Sequence, residues 1–590
     1  MNEYTFENEE YKNAYRHTAS HILAQAVKRL FPETKLAIGP AIADGFYYDF
    51  DTPEPFTPET LEQIEAEMRK IIKEKLPLER FELPREEALA LVADEPYKLE
   101  LIHDLPEGEA ISFYKQGEFT DLCAGPQVDS TGRIKANALK LTSATGAYWR
   151  GDANNKMLQR VYGTCFMTKP ELDEHLERLE QAKLRDHNKI GRELEYFTTS
   201  ELVGQGLPIL LPKGAKVIQI LQRFVEDEEE RRGYMHTKTP VMAKSDLYKI
   251  SGHWQHYLDG MFVLGDKDKH EEEEVLALRP MTCPFQFQAY LNRMRSYRDL
   301  PLRYAETATL FRNEASGEMH GLIRIRQFTI SEGHLACRPD QVEDEFRGCF
   351  ELANYMLKTI GLLEDVTYRF SKWDENDTDK YMGKKEDWEN TQNFMREVLD
   401  GLNVPYVEAD GEAAFYGPKL DIQIKNVYGK EDTLITLQID FQLAEQFGMT
   451  YVDSDGEKKH PFVIHRTSIG CYERTLALLL EKYAGAFPLW LAPVQVIVMP
   501  ITDRTKDYAQ SVADQLIDAG FRVETDFRAE KIGYKIREAQ MQKIPYMLVL
   551  GDKEAENGQV TVRARADGDI GAMTLDEFME RITEEKGNRT

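Results

Sequence analysis

Cysteine is scarce in this chain of 590 residues, which has six thiols and no CxxC pair. Sparse, scattered cysteines argue against the disulfide scaffold of a small secreted protein. Long apolar runs are also missing, since no stretch reaches the roughly 18 residues that a membrane-spanning helix needs. The amino terminus is acidic and polar, which argues against a signal peptide. We therefore predict a cytoplasmic protein without a membrane segment.

Positive charge is in short supply as well. The chain has 74 Lys and Arg residues against 102 Asp and Glu residues, so its formal net charge is −28. Such a surface repels phosphate as a whole, and any nucleic-acid site has to be a local basic patch. Hydrophobic residues make up 42% of the chain, which at this length is enough for about four domains.

Changes in residue pattern along the chain divide it into four segments. Residues 1–170 combine a helix over His17–Leu30, an acidic helix over Pro58–Glu74 and Gly-rich strands, which predicts an α+β domain. Residues 171–190 have apolar positions at helical spacing among charges, and we expect an exposed linker helix there.

Residues 191–490 alternate helices with period-2 segments that are typical of antiparallel strands. Residues 491–590 follow a βαβαβ order, which predicts a separate α/β domain. Near its end Thr574 precedes Glu577 by three residues, as in a capping box that begins a helix. The predicted fold is thus multidomain, of α+β and α/β classes.

A charged motif in the third segment points to phosphate chemistry. The pattern predicts a strand that carries Arg312 and Glu314 on one face, followed by a second strand over Leu322–Phe328. A guanidinium can bind a phosphate, the neighbouring carboxylate can accept a hydrogen bond from an adenine amine, and Phe328 can stack on a base. Taken alone, this segment is more simply explained as a surface hairpin with cross-strand ion pairs.

Two further segments decide between these interpretations. Gly233–Pro240, the charged motif and Ile469–Arg474 are similar, in this order, to motifs 1, 2 and 3 of the class II aminoacyl-tRNA synthetases. Within that class the chain resembles the threonyl-tRNA synthetase family over almost its whole length, although too few residues precede His17 for the small ubiquitin-like module with which many members open. The segments that carry this resemblance are His17–His21, Trp149–Asp152, Asn154–Arg160, Ser296–Arg303, Phe415–Lys419 and Trp490–Pro493.

The resemblance implies a class II antiparallel catalytic core, an amino-terminal editing-type domain and a carboxy-terminal anticodon-binding domain. It also implies one zinc ion per subunit, bound by Cys283, His334 and His465. Taken alone, these residues read as a buried thiol and two ordinary histidines, because their separations match no local zinc motif. Three protein ligands leave zinc an open side for the amine and hydroxyl of threonine, which valine cannot match.

The other implied substrates are ATP with Mg²⁺, L-threonine and tRNA(Thr), and motif 1 implies a homodimer. The chain departs from the usual pocket pattern at Thr282, Phe285, Gln286 and Glu332, which keeps a ligase of altered amino-acid specificity open. A non-catalytic RNA-binding regulator is the remaining alternative. The resemblance assigns the α-phosphate to Arg312, the distal phosphates or adenine face to Arg324 and Arg474, the adenine amine and stack to Glu314 and Phe328, and threonine contacts to Glu332, Tyr416 and Gln438.

His17 and His21 share one face of the first predicted helix. This HxxxH pattern lacks the Glu of an HExxH peptidase, so a zinc pair or a coincidence remains as the generic reading. In the family, this helix faces a pocket that hydrolyses seryl-tRNA without a metal. Its other expected members are Lys98, Asp121, Cys123 and Gln127, where Gln127 replaces a usual His.

The last segment contains the positions that the family uses on the anticodon, here Arg537, Glu554 and Arg563. Each charge by itself is more simply solvated surface. The neighbouring Arg528, Lys531 and Lys535 are basic against the acidic whole, as phosphate binding requires.

Overall fold

The computed structural model describes residues 4–152, 154–265, 275–377, 380–381 and 383–589. The chain forms two compact units, Met1–Gln181 and Ala182–Thr590. Within the described residues, no helix is long and apolar enough to cross a membrane.

The first unit packs helices against antiparallel sheets, as predicted for an α+β domain. One sheet has the strand order β1-β3-β8-β7, with β2 paired to β3, and another has the order β4-β5-β6. The elements are α1 Glu9–Leu30, β1 Lys35–Leu36, β2 Ala41–Ile42, β3 Gly45–Asp51, α2 Pro58–Glu74, β4 Leu78–Leu83, α3 Arg85–Leu91, α4 Pro96–Asp104, β5 Ile111–Gln116, β6 Phe119–Leu122, β7 Leu139–Tyr148, β8 Met157–Cys165 and α5 Lys169–Arg185.

Helix α1 is the central helix of this unit. It begins eight residues earlier than predicted, because the Asn8 side chain accepts hydrogen bonds from the Glu10 and Tyr11 amides and caps the first turn. Its buried residues include Ile22, Leu23 and Val27, which pack in the main core of the unit. This burial holds the helix in place, and with it the histidines on its opposite side.

The predicted single helix over 171–190 is wrong. The structure has α5 up to Arg185 and a second helix, α6 His187–Glu193. Asp186 lies between them in a non-helical conformation, and its carboxylate accepts a 2.7 Å hydrogen bond from the Asn188 amide. An aspartate in this position both ends one helix and caps the next.

The first part of the second unit is built on an eight-stranded sheet of order β11-β16-β17-β24-β21-β20-β18-β19. Its central pairs, β16 with β17, β17 with β24 and β24 with β21, are antiparallel, as the sequence predicts. The elements are β9 Phe197–Thr198, β10 Ile209–Leu210, α7 Pro212–Arg231, β11 Met235–His236, β12 Met242–Lys244, α8 Ser245–Ile250, α9 His253–His256, β13 Val263–Leu264, β14 Leu276–Leu278, α10 Cys283–Tyr290, β15 Arg295–Ser296, β16 Leu302–Phe311, β17 Gln327–Cys337, α11 Val342–Thr359, β18 Val366–Ser371, α12 Lys385–Gly401, β19 Tyr406–Ala409, β20 Lys419–Lys425, β21 Glu431–Asp440, α13 Leu443–Gln446, β22 Tyr451–Val452, β23 Lys458–Lys459, β24 Phe462–Cys471 and α14 Tyr472–Tyr483.

The strand predicted over Leu322–Phe328 is also wrong. Strand β16 ends at Phe311, Arg312 and Glu314 follow it without regular structure, and β17 begins only at Gln327. Residues from His320 to Arg324 form a turn closed by a bridge between these two residues. The alternation of Ile and Arg arises because Ile323 and Ile325 are buried in this irregular segment.

The carboxy-terminal part has a five-stranded sheet of order β26-β25-β27-β28-β29, in which the first three strands are parallel. This confirms the βαβαβ order. Thr574 and Glu577 form the predicted capping box of the last helix. The elements are β25 Val496–Pro500, α15 Lys506–Asp518, β26 Val523–Thr525, α16 Ile532–Met541, β27 Tyr546–Leu550, α17 Asp552–Asn557, β28 Gln559–Ala564, β29 Gly568–Thr574 and α18 Leu575–Asn588.

Candidate functional site

A cavity of about 370 Å³ opens on the central strands of the large sheet. It brings together side chains from β17, β20, β21 and β24, from the turn before β17 and from the amino termini of α10 and α14. The predicted site residues that line it are Cys283, Arg312, Glu314, Arg324, Phe328, Glu332, Tyr416, Gln438, His465 and Arg474.

A cysteine and two histidines meet beside this cavity. His334 on β17 and His465 on β24 are direct cross-strand partners, and Cys283 is the first residue of α10. One ligand atom from each lies within 4.8 Å of the other two, and all three residues are buried. The sheet register therefore closes a cluster whose members lie far apart in the sequence.

Hydrogen bonds orient both rings of this cluster. The Nδ1 atom of His334 lies 2.5 Å from Gln286 Oε1, and the Nε2 atom of His465 lies 2.9 Å from Asp440 Oδ2. His334 Nε2 is buried and has no hydrogen-bond partner among the described residues. A buried nitrogen without a partner is costly, unless a cation accepts its lone pair.

Burial affects His334 and Cys283 of this cluster in different ways. Burial lowers the pKa of His334 well below its usual value, so the ring is neutral, as a metal ligand must be. Burial raises the pKa of the Cys283 thiol, with Glu332 and Asp440 adding to the effect, so a bound metal would have to displace the thiol proton. One thiolate and two imidazoles form a donor set that suits zinc.

Polar groups next to the cluster are already hydrogen-bonded. The Tyr416 hydroxyl donates to Gln438 Oε1 at 2.6 Å, and its ring stacks on His465 with a centroid distance of 4.9 Å. Glu332 accepts from the Thr282 amide at 3.0 Å, while its other oxygen lies 3.9 Å from His334 Nε2. These groups place hydroxyl and carboxylate oxygens on the cavity wall beside the cluster.

The arginines of the cavity are held in different ways. The Arg312 guanidinium lies 5.2 Å from the centre of the Phe328 ring. Arg324 donates to Glu314 at 2.8 Å. The two residues thus form an ion pair between irregular segments, and not between two strands as predicted. Arg474 donates to the carbonyl oxygens of Ile323 and Thr433.

Sequence reasoning missed several residues of this site. His253 lines the cavity, and burial lowers its pKa to about 3. The fully buried Arg466 guanidinium lies against Gly333, where a Cβ would come within 2.6 Å of Arg466 Cζ. Asp440 is the hydrogen-bond partner of a predicted ligand. Arg466 directly follows the predicted ligand His465 in the sequence, which could have drawn attention to it. No motif pointed to His253 or Asp440.

A second polar cluster lies in the first unit, where the six predicted residues come together. His17 Nε2 lies 3.6 Å from Cys123 Sγ, and the Gln127 amide nitrogen lies 3.4 Å from the same sulfur. His17 Nδ1 lies 3.1 Å from the Pro126 carbonyl oxygen, so Nδ1 has the proton and Nε2 accepts. His21, His17 and Cys123 could also hold a metal ion by distance.

Asp121 is the buried centre of this second cluster. It forms a 2.7 Å ion pair with Lys98, accepts from the Tyr48 hydroxyl at 2.6 Å and lies 3.9 Å from His21. Burial by itself raises the pKa of Asp121, but Lys98, His21 and the Tyr48 hydroxyl together outweigh it, and the pKa is lowered. Burial lowers the pKa of His21 to about 3 and raises that of Cys123. No motif in the sequence pointed to Tyr48.

The predicted anticodon residues lie on three elements of the carboxy-terminal part. Arg537 is exposed on α16, and Arg563 on β28 pairs with Asp569 at 3.2 Å. Glu554 accepts from the Gly551 amide and the Thr561 hydroxyl, both at 2.8 Å, so it also caps α17.

The basic run beside these residues is weaker than predicted. Lys535 is buried and donates to the Asp526 carbonyl, and Arg528 pairs with Asp526 and Glu538. The exposed cations of the run are Lys531, Arg537 and the ion-paired Arg528.

Three family profiles match the chain. Residues 266–483 match the "tRNA synthetase class II core domain (G, H, P, S and T)", residues 495–585 match the "Anticodon binding domain", and residues 111–162 match the "Threonyl and Alanyl tRNA synthetase second additional domain". Each profile falls within one of the segments predicted from the sequence.

Individual proteins are similar over nearly the whole chain. A threonine–tRNA ligase of Clostridium perfringens is 64% identical over 99% of this chain and 90% of its own length. A threonine–tRNA ligase of Clostridium botulinum is 66% identical over 98% of this chain and 90% of its own length. A solved structure of the RNA-binding domain of a Cryptosporidium parvum threonyl-tRNA synthetase, 33% identical, covers 68% of this chain and 98% of its own with a TM-score of 0.63. The chain therefore belongs to the threonyl-tRNA synthetase family of class II aminoacyl-tRNA synthetases.

Proposed function

We propose that the protein activates L-threonine with ATP and Mg²⁺ in the cavity of the large sheet and transfers it to tRNA(Thr). The observation that carries this proposal is the meeting of Cys283, His334 and His465 at the edge of an arginine-lined cavity. A non-catalytic regulator would not need both features in one place.

The cluster is our candidate for the zinc site. The orphaned His334 Nε2, the neutral ring and the soft donor set all fit that ion. Bound zinc would supply an open Lewis-acid position for the amine and hydroxyl of threonine. A site that demands a hydroxyl rejects valine by about 10⁴-fold or more, whereas serine lacks only a methyl, worth roughly 10 to 200-fold.

The cavity can support activation without a protein nucleophile. The threonine carboxylate attacks the α-phosphorus of ATP, the bond from that phosphorus to the bridging oxygen breaks and pyrophosphate leaves with Mg²⁺. The protein contributes orientation and charge neutralisation. We assign the α-phosphate to Arg312, whose Nε is buried without a partner among the described residues. Phe328 would stack on the adenine, with Glu314 at its amine and Arg324 and Arg474 at the distal phosphates or the adenine face. We assign threonine contacts to Tyr416, Gln438 and Glu332.

The cluster in the first unit is our candidate for hydrolysis of seryl-tRNA. The unprotonated His17 Nε2 can accept a proton from water or a ribose hydroxyl. His21, Lys98, Asp121 and Cys123 would position the substrate. Gln127 can donate and accept hydrogen bonds but takes up no proton near neutral pH, so we infer that this hydrolysis is slow.

The remaining proposals concern partners. Arg537, Glu554 and Arg563 are our candidates for contact with the anticodon. We also infer a homodimer through the segment Gly233–Pro240, since motif 1 of class II enzymes forms their dimer interface.

Amino-acid-dependent pyrophosphate exchange tests the main proposal. We expect exchange with threonine, about 10 to 200-fold less efficient exchange with serine and no measurable exchange with valine. A preference for another amino acid would favour a ligase of altered specificity. Absence of exchange with every amino acid would favour the regulator.

A further inference from the structure

A chain of hydrogen bonds runs from the candidate zinc ligand His334 into the segment that follows β11. Gln286 Oε1 lies 2.5 Å from His334 Nδ1, and Gln286 Nε2 lies 2.8 Å from Thr237 Oγ1. Thr237 Oγ1 in turn lies 2.9 Å from Glu306 Oε2. His334, Gln286 and Glu306 are at most 3% exposed, whereas Thr237 is half-buried, so the bond between His334 and Gln286 is the one most shielded from water.

At the Glu306 end of this series of hydrogen bonds, the direction of donation is fixed. The Glu306 carboxylate accepts from Arg279 Nη1 at 3.1 Å and from the Thr239 amide at 3.2 Å. The other acceptor near Thr237 Oγ1 is the Ala305 carbonyl oxygen, at 3.4 Å. Both groups only accept, so the Thr237 hydroxyl proton points towards them and away from Gln286.

The direction of this hydrogen bond determines the donor and acceptor in each of the following ones. Because its own proton is used, Thr237 Oγ1 must accept from Gln286, which turns the NH₂ of the Gln286 amide towards Thr237. The carbonyl oxygen of Gln286 therefore faces His334, and His334 Nδ1 has to be the protonated nitrogen. The lone pair of the ring is then on Nε2, the atom that lies buried without a partner among the described residues.

We infer that Gln286 and Thr237 are positioning residues that set the tautomer of His334, so that its Nε2 lone pair is available to the metal before the metal binds. The inference rests on the proposed zinc site for its consequence, but the tautomer itself is a property of the metal-free protein. Partners of this kind change metal affinity by about 10 to 100-fold when they are removed.

The first test reads the tautomer directly. In zinc-free protein with ¹⁵N-labelled histidine, correlations between ring nitrogens and ring protons show which nitrogen has the proton, and the His334 signal is the one lost in His334→Gln. We expect the Nδ1–H form alone in the unmutated protein and a mixture in Gln286→Met. An Nε2–H form in the unmutated protein, or an unchanged signal in Gln286→Met, would overturn the inference.

The second test measures zinc affinity by competition with a chelator. We expect Gln286→Met to weaken binding by about 10 to 100-fold, and Thr237→Val to weaken it in the same direction because the Gln286 amide is then free to turn around. Gln288→Met on the exposed side of the same helix is the matched control and should bind as the unmutated protein does.

Two conservative variants separate this role from simple packing. Thr237→Ser keeps the hydroxyl, and Gln286→His keeps one acceptor and one donor, so both should retain the tautomer and bind zinc within about threefold of the unmutated protein. Loss of affinity in both, with the tautomer unchanged, would show a packing role instead. If the unmutated protein bound no zinc at all, the proposed function would fail, while the tautomer measurement would still decide the inference.

Discussion

Two clusters in this molecule contain the same donor types, two histidines and one cysteine, within 4.8 Å of one another. Around His334 and His465 the neighbours are acceptors that turn ring lone pairs inward, and His334 Nε2 has no partner among the described residues. Around Cys123 the sulfur already accepts from the Gly125 amide and from Gln127, and it lies close to His17.

The donor set alone therefore does not decide whether a cluster binds a metal ion or takes part in proton transfer. Orphaned lone pairs that converge in a buried place favour a cation. A thiol that already has hydrogen-bond partners, beside a Lys98–Asp121 ion pair, favours substrate positioning and proton transfer.

Cys283→Ser should lose zinc and reduce threonine activation by about 10³-fold or more, because Lewis-acid stabilisation is worth several kcal/mol. Cys123→Ser is the matched control and should keep the zinc content and the activation rate. Metal analysis and pyrophosphate exchange measure both. Equal zinc in the two variants, or zinc lost only from Cys123→Ser, would reverse the comparison.

Arg312→Ala should reduce activation by about 10² to 10³-fold, since it removes charge stabilisation at the reacting phosphate. Circular dichroism should show little change in fold, and hydrolysis of seryl-tRNA in the other cluster should be unaffected. Activation within about threefold of the unmutated protein would rule out the phosphate role.

Gln127→His should accelerate hydrolysis of seryl-tRNA, by about 10²-fold if the new imidazole takes part in proton transfer. Deacylation is measured in the unmutated protein, in this variant and in His17→Ala, which should be inactive. Equal rates in the first two, with His17→Ala inactive, would show that the site is intact without a histidine at this position.

The neutral state of His21 should make the first unit less stable in acid. Its pKa is about 3 in the folded protein and about 6.5 when unfolded, so below pH 6.5 the unfolded chain binds a proton that the folded chain does not. The free energy of unfolding should therefore fall by up to roughly 1.4 kcal/mol per pH unit between these values. Urea unfolding at pH 7.0 and 5.5 measures this, and His21→Gln should show a smaller dependence. An equal dependence in both proteins would mean that His21 is protonated when folded.

Local signals in the sequence predicted part of the fold well. Pro58–Glu74 has an amphipathic pattern and begins after a capping Thr57, and the structure has that helix with those bounds. The predicted strand over Leu322–Phe328 was wrong, because alternation of apolar and charged residues also occurs where a turn buries every second side chain. The prediction of one helix over 171–190 was wrong at Asp186, because its side chain accepts a hydrogen bond from the backbone and so competes with the helical backbone.

Motifs in the sequence were enough to indicate the family, and through that resemblance the two histidines and one cysteine of each cluster, but they gave no indication of Asp440 or Tyr48. Only the tertiary structure decided which groups meet. The pairing of His334 with His465 depends on the register of β17 with β24, and the proton on His334 depends on contacts with Gln286 and, through it, Thr237. Such contacts join residues that are far apart in the chain, and a one-residue shift of the strand register would turn these side chains to the opposite face of the sheet.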